Sequence, residues 1–197
     1  MLNQQKIKAH FKQVDPVIYA IMAEIDFGQW WGRQKPDYFA ALCEDIIGQQ
    51  LSGKAADSIF ARLIKLFPGK LITPKRLLKL TDQQIRDVGT SWAKVRSLKD
   101  LALQVKTKRI NLNKLDQLSD EAAMVELIKI KGIGPWTAEM FLIFTLKREN
   151  VFSQGDLGLN KAFKKLYGQR LPETVIRHWS PYKSFGSLAL WHSLDKV

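Results

Sequence analysis

The stretch Leu127–Asp156, LIKIKGIGPWTAEMFLIFTLKRENVFSQGD, decides how the rest of the chain is read. An apolar segment runs into Gly132, Ile133, Gly134 and Pro135, a second apolar segment starts near Trp136, and a lone acid, Asp156, closes the stretch. Two glycines this close free the backbone for φ > 0 and for near contact with another molecule. Proline suits the first helical position, where its missing N–H is not needed. The pattern predicts two helices joined by a tight hairpin within residues 120–147. Amides around such a turn point outward at a helix N-terminus, which is a seat for a phosphate.

On either side of the hairpin the apolar residues keep helical spacing. Val17, Ile18, Ile21, Met22 and Ile25 form a stripe that ends at Phe27-Gly28, and GQWWGRQKPDYF then reads as a loop with two adjacent tryptophans. Asp37 is placed to cap a helix carrying Phe39, Leu42, Ile46 and Ile47, and Ser52 to cap one carrying Ala55, Ile59, Leu63 and Leu66 that stops before Pro68-Gly69. Thr73-Pro74 starts a short helix, and Thr81 or Asp82 starts another that stops at Gly89. After GTSW, Val95, Leu98, Leu101, Ala102 and Val105 line one face of a longer helix. Ser119 caps the helix into the hairpin, Asp156 or Asn160 caps one ending at Gly168, and Pro172 opens the next. No run alternates at period two. The expectation is an all-α chain of about ten short helices.

Charge is unevenly spread along the 197 residues, whose formal net charge is +12. Met1–Ala61 holds 6 basic and 7 acidic residues, Arg62–Arg109 holds 13 and 3, and the remainder 12 and 9. An excess gathered in one stretch favours a polyanionic partner, although a solvated basic surface is the plainer reading. No apolar run is long enough to span a membrane, and the start MLNQQKIKAHFKQ lacks the apolar segment of a signal peptide, so a cytoplasmic protein is expected. The single cysteine, Cys43, excludes an internal disulfide, a four-cysteine zinc site and a four-cysteine iron–sulfur cluster, and reads as a small buried residue. His10 and His178 have no metal-binding partners at useful spacing.

KGIGPWTA followed at an interval by Asp156 resembles the helix-hairpin-helix–GPD superfamily of DNA glycosylases. Three further segments, IIGQQLSGKAADSIFARL, VGTSWAKVRSLKDLA and HWSPYKSFGSLALW, are similar to its alkyl-base branch, the 3-methyladenine DNA glycosylase II family. The likeness runs over roughly residues 38 to 195. It implies two helical lobes flanking a cleft: one of about residues 50–150 containing the hairpin, the other of about 1–49 with 151–197, with Asp156 at the seam. The partner implied is double-stranded DNA containing a damaged base, with no membrane, and the chain is expected to be a monomer.

The resemblance also implies roles. Asp156 is the expected catalytic acid, a fixed carboxylate that stabilises positive charge developing on the deoxyribose and orients a water; local sequence alone favours a helix N-cap instead, the family position reverses that, and the two roles are compatible. In relatives that also cut the backbone, a lysine stands just before the hairpin Thr-Ala; here Trp136 stands there, so the enzyme implied is monofunctional, without lyase activity. Trp136, Met140, Trp191 and His192 are the expected walls of a pocket for a flipped, electron-poor base, with Trp30 and Trp31 as further candidates, against core packing for each. Trp92, after Gly89-Thr90-Ser91, is the expected wedge into the duplex, or else folds back on its own helix. Lys131, Gly132, Gly134, Trp136, Thr137, Lys94 and Arg96 are the expected DNA contacts, with Thr137 alternatively bonding locally. Gln49 and Gln50 line the cleft or bridge helices.

No cofactor is required for this chemistry, and no iron–sulfur cluster is expected. A monovalent or divalent cation held by the backbone carbonyls of Ile128, Ile130 and Ile133 would be structural. The function implied is hydrolysis of the N-glycosidic bond of alkylated bases, of the 3-methyladenine and 7-methylguanine type, in base excision repair. Two rivals stand beside it: a glycosylase for deaminated or mismatched bases, and a non-catalytic helix-hairpin-helix DNA-binding module.

Overall fold

The computed structural model describes residues 2–31 and 37–194, with Trp30 and Trp31 by their backbone alone. Among the described residues there are thirteen α-helices, three short 3-10 turns and no strand. The chain is all-α, in more and shorter pieces than its periodicity suggests. Two compact units are present, Met1–Gln34 with Lys147–Val197, and Lys35–Leu146. Among the described residues no helix is long and apolar enough to cross a membrane.

The first unit begins with α1 (Gln4–Val14), α2 (Pro16–Met22) and the single turn α3 (Gly28–Trp31). Asp15 ends α1 and starts α2, its Oδ1 accepting the N–H groups of Val17 and Ile18 at 3.2 Å. The GQWW segment, expected as loop, takes a helical turn where the Asp26 carboxylate accepts the Gly28 N–H at 2.9 Å. A short polar side chain just before a turn can start it whatever the bulk that follows.

The second unit runs through α4 (Tyr38–Gly48), α5 (Gly53–Lys65), α6 (Pro74–Leu77), α7 (Asp82–Asp87), α8 (Trp92–Lys106), α9 (Asp120–Ile128) and α10 (Pro135–Phe144). Asp37, Thr73, Thr81 and Ser119 each cap the helix expected of them, Thr81 with Gln84 as a reciprocal capping box. Ser52 occupies the N-cap of α5 without making the side-chain bond. α4 buries Tyr38, Phe39, Leu42, Cys43, Ile46 and Ile47 and packs on α5, α8 and α10. That helix therefore belongs to the second unit and not, as the sequence suggested, with the N-terminal helices. Burial pushes the Cys43 thiol well above its ordinary range, with the charges of Asp37 and Asp45 adding to it, so it stays protonated and inert.

The chain then returns to the first unit as α11 (Leu157–Tyr167), α12 (Pro172–Ile176) and α13 (Lys183–His192), with α13 packed on α2 and α11. The fully buried Trp179 meets Phe11 edge-on at 5.9 Å and donates its indole N–H to Asp15 Oδ2 at 2.7 Å. The Tyr167 hydroxyl donates to the same oxygen at 2.7 Å, and burial, with this bond to Asp15, pushes the phenol far up. A buried carboxylate is tolerated here because both of its oxygens are bonded.

Candidate active site

In the second unit, α9 and α10 form the expected hairpin, and three side chains hold its turn. Gly132 has φ +84°, and a Cβ built there would lie 2.2 Å from Ser97 Oγ on α8. Only glycine meets both conditions. Asp100, also on α8, accepts the Lys131 N–H at 2.8 Å, while Gln104 joins Asp100 to the Lys129 carbonyl at 2.7 and 3.0 Å. Gln49, just past α4, donates to the Gly132 carbonyl at 2.8 Å and to Thr137 Oγ1 at 3.1 Å. The turn is thereby pinned from two sides, and Gln49 bridges helices.

Pinning exposes one side of the turn. Lys131, Gly132, Gly134, Pro135 and Trp136 are exposed, and no side chain caps α10 at Gly134. The first amides of α10 therefore lie at an uncapped helix N-terminus, which attracts anions. Thr137 departs from the expected DNA contacts: it is buried, with its hydroxyl against Gln49. Met140 is half-buried on α10.

Ser91 caps α8, and Trp92 stands at its first position, 48% exposed, with the Arg86 guanidinium 5.9 Å from its ring. The ring is thus half presented to solvent instead of folded into the core. Arg96 is exposed and lines, with Lys99, Lys131, Asp82 and Asp100, a surface hollow of about 390 Å³. Lys94 is a second departure. Its ammonium turns inward and donates to the carbonyls of Ile47 and Gln49 at 2.7 and 2.8 Å, and burial lowers its pKa. The charge complements the C-terminal carbonyls of α4 in place of the expected phosphate.

In the first unit Asp156 is the N-cap of α11 and is buried at 7% exposure. Its Oδ1 accepts the Leu159 N–H at 2.7 Å and the Trp191 indole N–H, from α13, at 3.0 Å. Cap and candidate acid are one and the same group. The preceding loop is tied down: Ser184 Oγ donates to the Arg148 carbonyl at 2.6 Å and accepts the Val151 N–H at 3.0 Å, and Asn160 donates to the Gln154 carbonyl at 2.9 Å. Trp191 and His192 are half-buried near the end of α13. The side chains of Trp30 and Trp31 lie outside the described residues. Sequence reading missed Asp100 and Ser184, which bond backbone groups more than thirty positions away, and Ser97, whose hydroxyl bonds the Ala93 carbonyl on its own helix while its side chain faces Gly132.

The model of the HhH-GPD superfamily base excision DNA repair protein matches residues 43–178. A DNA-3-methyladenine glycosylase of Saccharomyces cerevisiae is 36% identical over 169 residues, which is 79% of this chain and 57% of that protein. A Bacillus halodurans DNA-3-methyladenine glycosidase structure aligns with a TM-score of 0.81 at 31% identity, covering 95% of this chain and 88% of that one. The Schizosaccharomyces pombe 3-methyladenine DNA glycosylase, solved in complex with abasic DNA, aligns with a TM-score of 0.80 at 25% identity, covering 96% and 97%. The chain spans 60% and 57% of the length of the first two curated relatives it matches. With a hairpin of this construction and a family match over most of its length, the chain belongs to the HhH-GPD superfamily of base excision DNA repair proteins.

Proposed function

We propose that this chain is a monofunctional DNA glycosylase that hydrolyses the N-glycosidic bond of alkylated bases, of the 3-methyladenine and 7-methylguanine type, in duplex DNA. The observation that carries the reading is the Asp156 carboxylate, buried at a helix N-terminus and held by two N–H donors in a chain of this superfamily. The exposed turn at Lys131, Gly132 and Gly134 grips a phosphate through backbone amides and the lysine charge, with Arg96 as a further contact. Trp92 fills the gap left in the duplex when the damaged nucleotide turns out of the stack, and Trp191 and His192, on the helix that reaches Asp156, wall the extruded base.

As the C1′–N bond breaks, its electron pair leaves with the base and positive charge builds on the sugar, where the fixed carboxylate stabilises it. Water adds to C1′, its proton passes through the carboxylate to solvent, and a hydroxyl-bearing abasic sugar remains. A methylated purine starts as a cation and leaves neutral, so little acid assistance is needed, and an aromatic face attracts the cation before it leaves. With Trp136 before Thr137, that position offers no amine to form a Schiff base and cut the strand.

The chain acts as a monomer in the cytoplasm and needs no cofactor for the chemistry. A structural cation would share the carbonyls of Ile128, Ile130 and Ile133. The Ile130 carbonyl already accepts the Ile133 N–H at 3.0 Å, and its second lone pair is the one such an ion would use. The test is free-base release from methylated DNA by wild type and by Asp156→Asn, with an abasic-site cleavage control. Methylpurine release that the variant loses by at least a hundredfold, without strand cutting, is expected. Release only from deaminated or mismatched duplexes would move the substrate. Salt-sensitive binding with no release from any lesion would leave a non-catalytic hairpin module.

A further inference from the structure

Resting on that activity, we infer that Trp191 is a positioning residue for Asp156, acting through its indole N–H, and is more than an aromatic wall for the base. The bond is 3.0 Å long and reaches the same oxygen, Oδ1, that caps α11 through the Leu159 N–H at 2.7 Å. The Leu159 N–H, on the helix that Asp156 caps, fixes where that oxygen sits. A second donor, arriving from α13, fixes the plane of the carboxylate as well. α13 packs directly on α11, so the donor and the acid move as one body.

A neutral donor suits this task. An ammonium or guanidinium at 3.0 Å would orient the carboxylate but would cancel the charge needed opposite the developing sugar cation. An indole N–H orients the group and leaves that charge in place. Room for the indole is provided by Gly158, where a Cβ would lie 3.1 Å from Asp156 Oδ1 and 3.3 Å from Cδ1 and Nε1 of Trp191. Any side chain at 158 crowds both partners of the bond. The same unit holds a second helix-capping aspartate with an indole donor, but there the Trp179 N–H meets Asp15 Oδ2 at 2.7 Å while Oδ1 caps the helix.

Two replacements separate a donor from a wall. Trp191→Phe keeps an aromatic face and loses the N–H; Trp191→Leu loses both. If Trp191 positions the acid, single-turnover release of methylpurine falls at least about tenfold in the Phe variant, close to the Leu variant, while duplex affinity holds. Release by Trp191→Phe near the wild-type rate, with loss confined to Trp191→Leu, overturns the proposal. A second arm does not depend on activity. The indole N–H resonance of Trp191, identified as the one missing from Trp191→Phe, is expected to move upfield in Asp156→Asn, because a charged acceptor is replaced by a neutral one. A resonance that stays in place overturns the proposal. Wild type that releases no methylpurine sinks the activity and leaves this second arm to decide the bond.

Discussion

At the scale of single residues, Gly132 has to satisfy a backbone angle and a contact at once. Its φ of +84° and the 2.2 Å overlap that a Cβ would make with Ser97 Oγ add together, so Gly132→Ala is expected to cost at least about 2 kcal/mol. Thermal unfolding measures that cost, and duplex binding should weaken with it, since the turn cannot keep its place on α8. Pairing the change with Ser97→Ala removes the overlap with Oγ but leaves the residue-97 Cβ at 3.0 Å and the backbone angle unchanged, and should restore only part of the loss. Asp15 presents the opposite case, a charge that is fully bonded. Asp15→Asn leaves the N–H of Trp179 and the hydroxyl of Tyr167 competing for a weaker acceptor and should cost about 3 kcal/mol in a denaturant titration. The glycine turn and Asp156 were legible from sequence because their requirements are local: a positive φ, a proline at a helix start, an oxygen at an N-cap. Lys94 was not. Its partners are carbonyls of Ile47 and Gln49, more than forty positions away, and nothing near Lys94 distinguishes it from a lysine facing solvent.

At the scale of elements, α4 combines a well-encoded start with an unusual interior. Asp37 caps it as expected, yet Asp45 lies inside it with Oδ2 buried and unbonded, and burial, with the nearby charge of Glu44, raises its pKa from 3.8 to about 7. A carboxyl group that ionises at a higher pH when folded binds more protons in the native state than in the unfolded one. Stability is then greatest below about pH 4 as far as this group decides it, declines as pH rises towards 7, and levels off above, a change of up to about 4 kcal/mol. Glu44, also raised, mainly by burial, works in the same direction. Asp45→Asn should flatten the stability profile between pH 4 and 7, measured by denaturant midpoint across that range. That α4 joins the second unit was not visible in its sequence, because an apolar stripe states that a face is buried without saying against what. Helix starts were read well for the converse reason, since a capping side chain bonds within three residues of itself, as Ser119 does with Ala122 at 3.2 Å.

At the scale of the whole molecule, the proposed association with DNA would draw on the positive excess concentrated in Arg62–Arg109 and be driven by counterion release. The logarithm of affinity should fall linearly with the logarithm of salt concentration. Removing a lysine or arginine that contacts phosphate lowers the slope by about one. Lys131→Ala and Arg96→Ala are expected to do so, whereas Lys94→Met, whose ammonium is held by two carbonyls, should leave the slope where it was. A slope that ignores all three would place the phosphate contacts elsewhere. Composition located this basic stretch but could not sort its lysines into those turned outward and those turned in. The division of the chain carries one more consequence, for synthesis. The second unit is continuous, Lys35–Leu146, while the first is assembled from segments on either side of it. On a ribosome, the central unit can collapse as it emerges, but α1 and α2 must wait for Trp179 and α13, on the order of ten seconds of translation later. Until then Phe11, Ile18 and Met22 have no core to enter, and that nascent interval is when the chain most needs a chaperone.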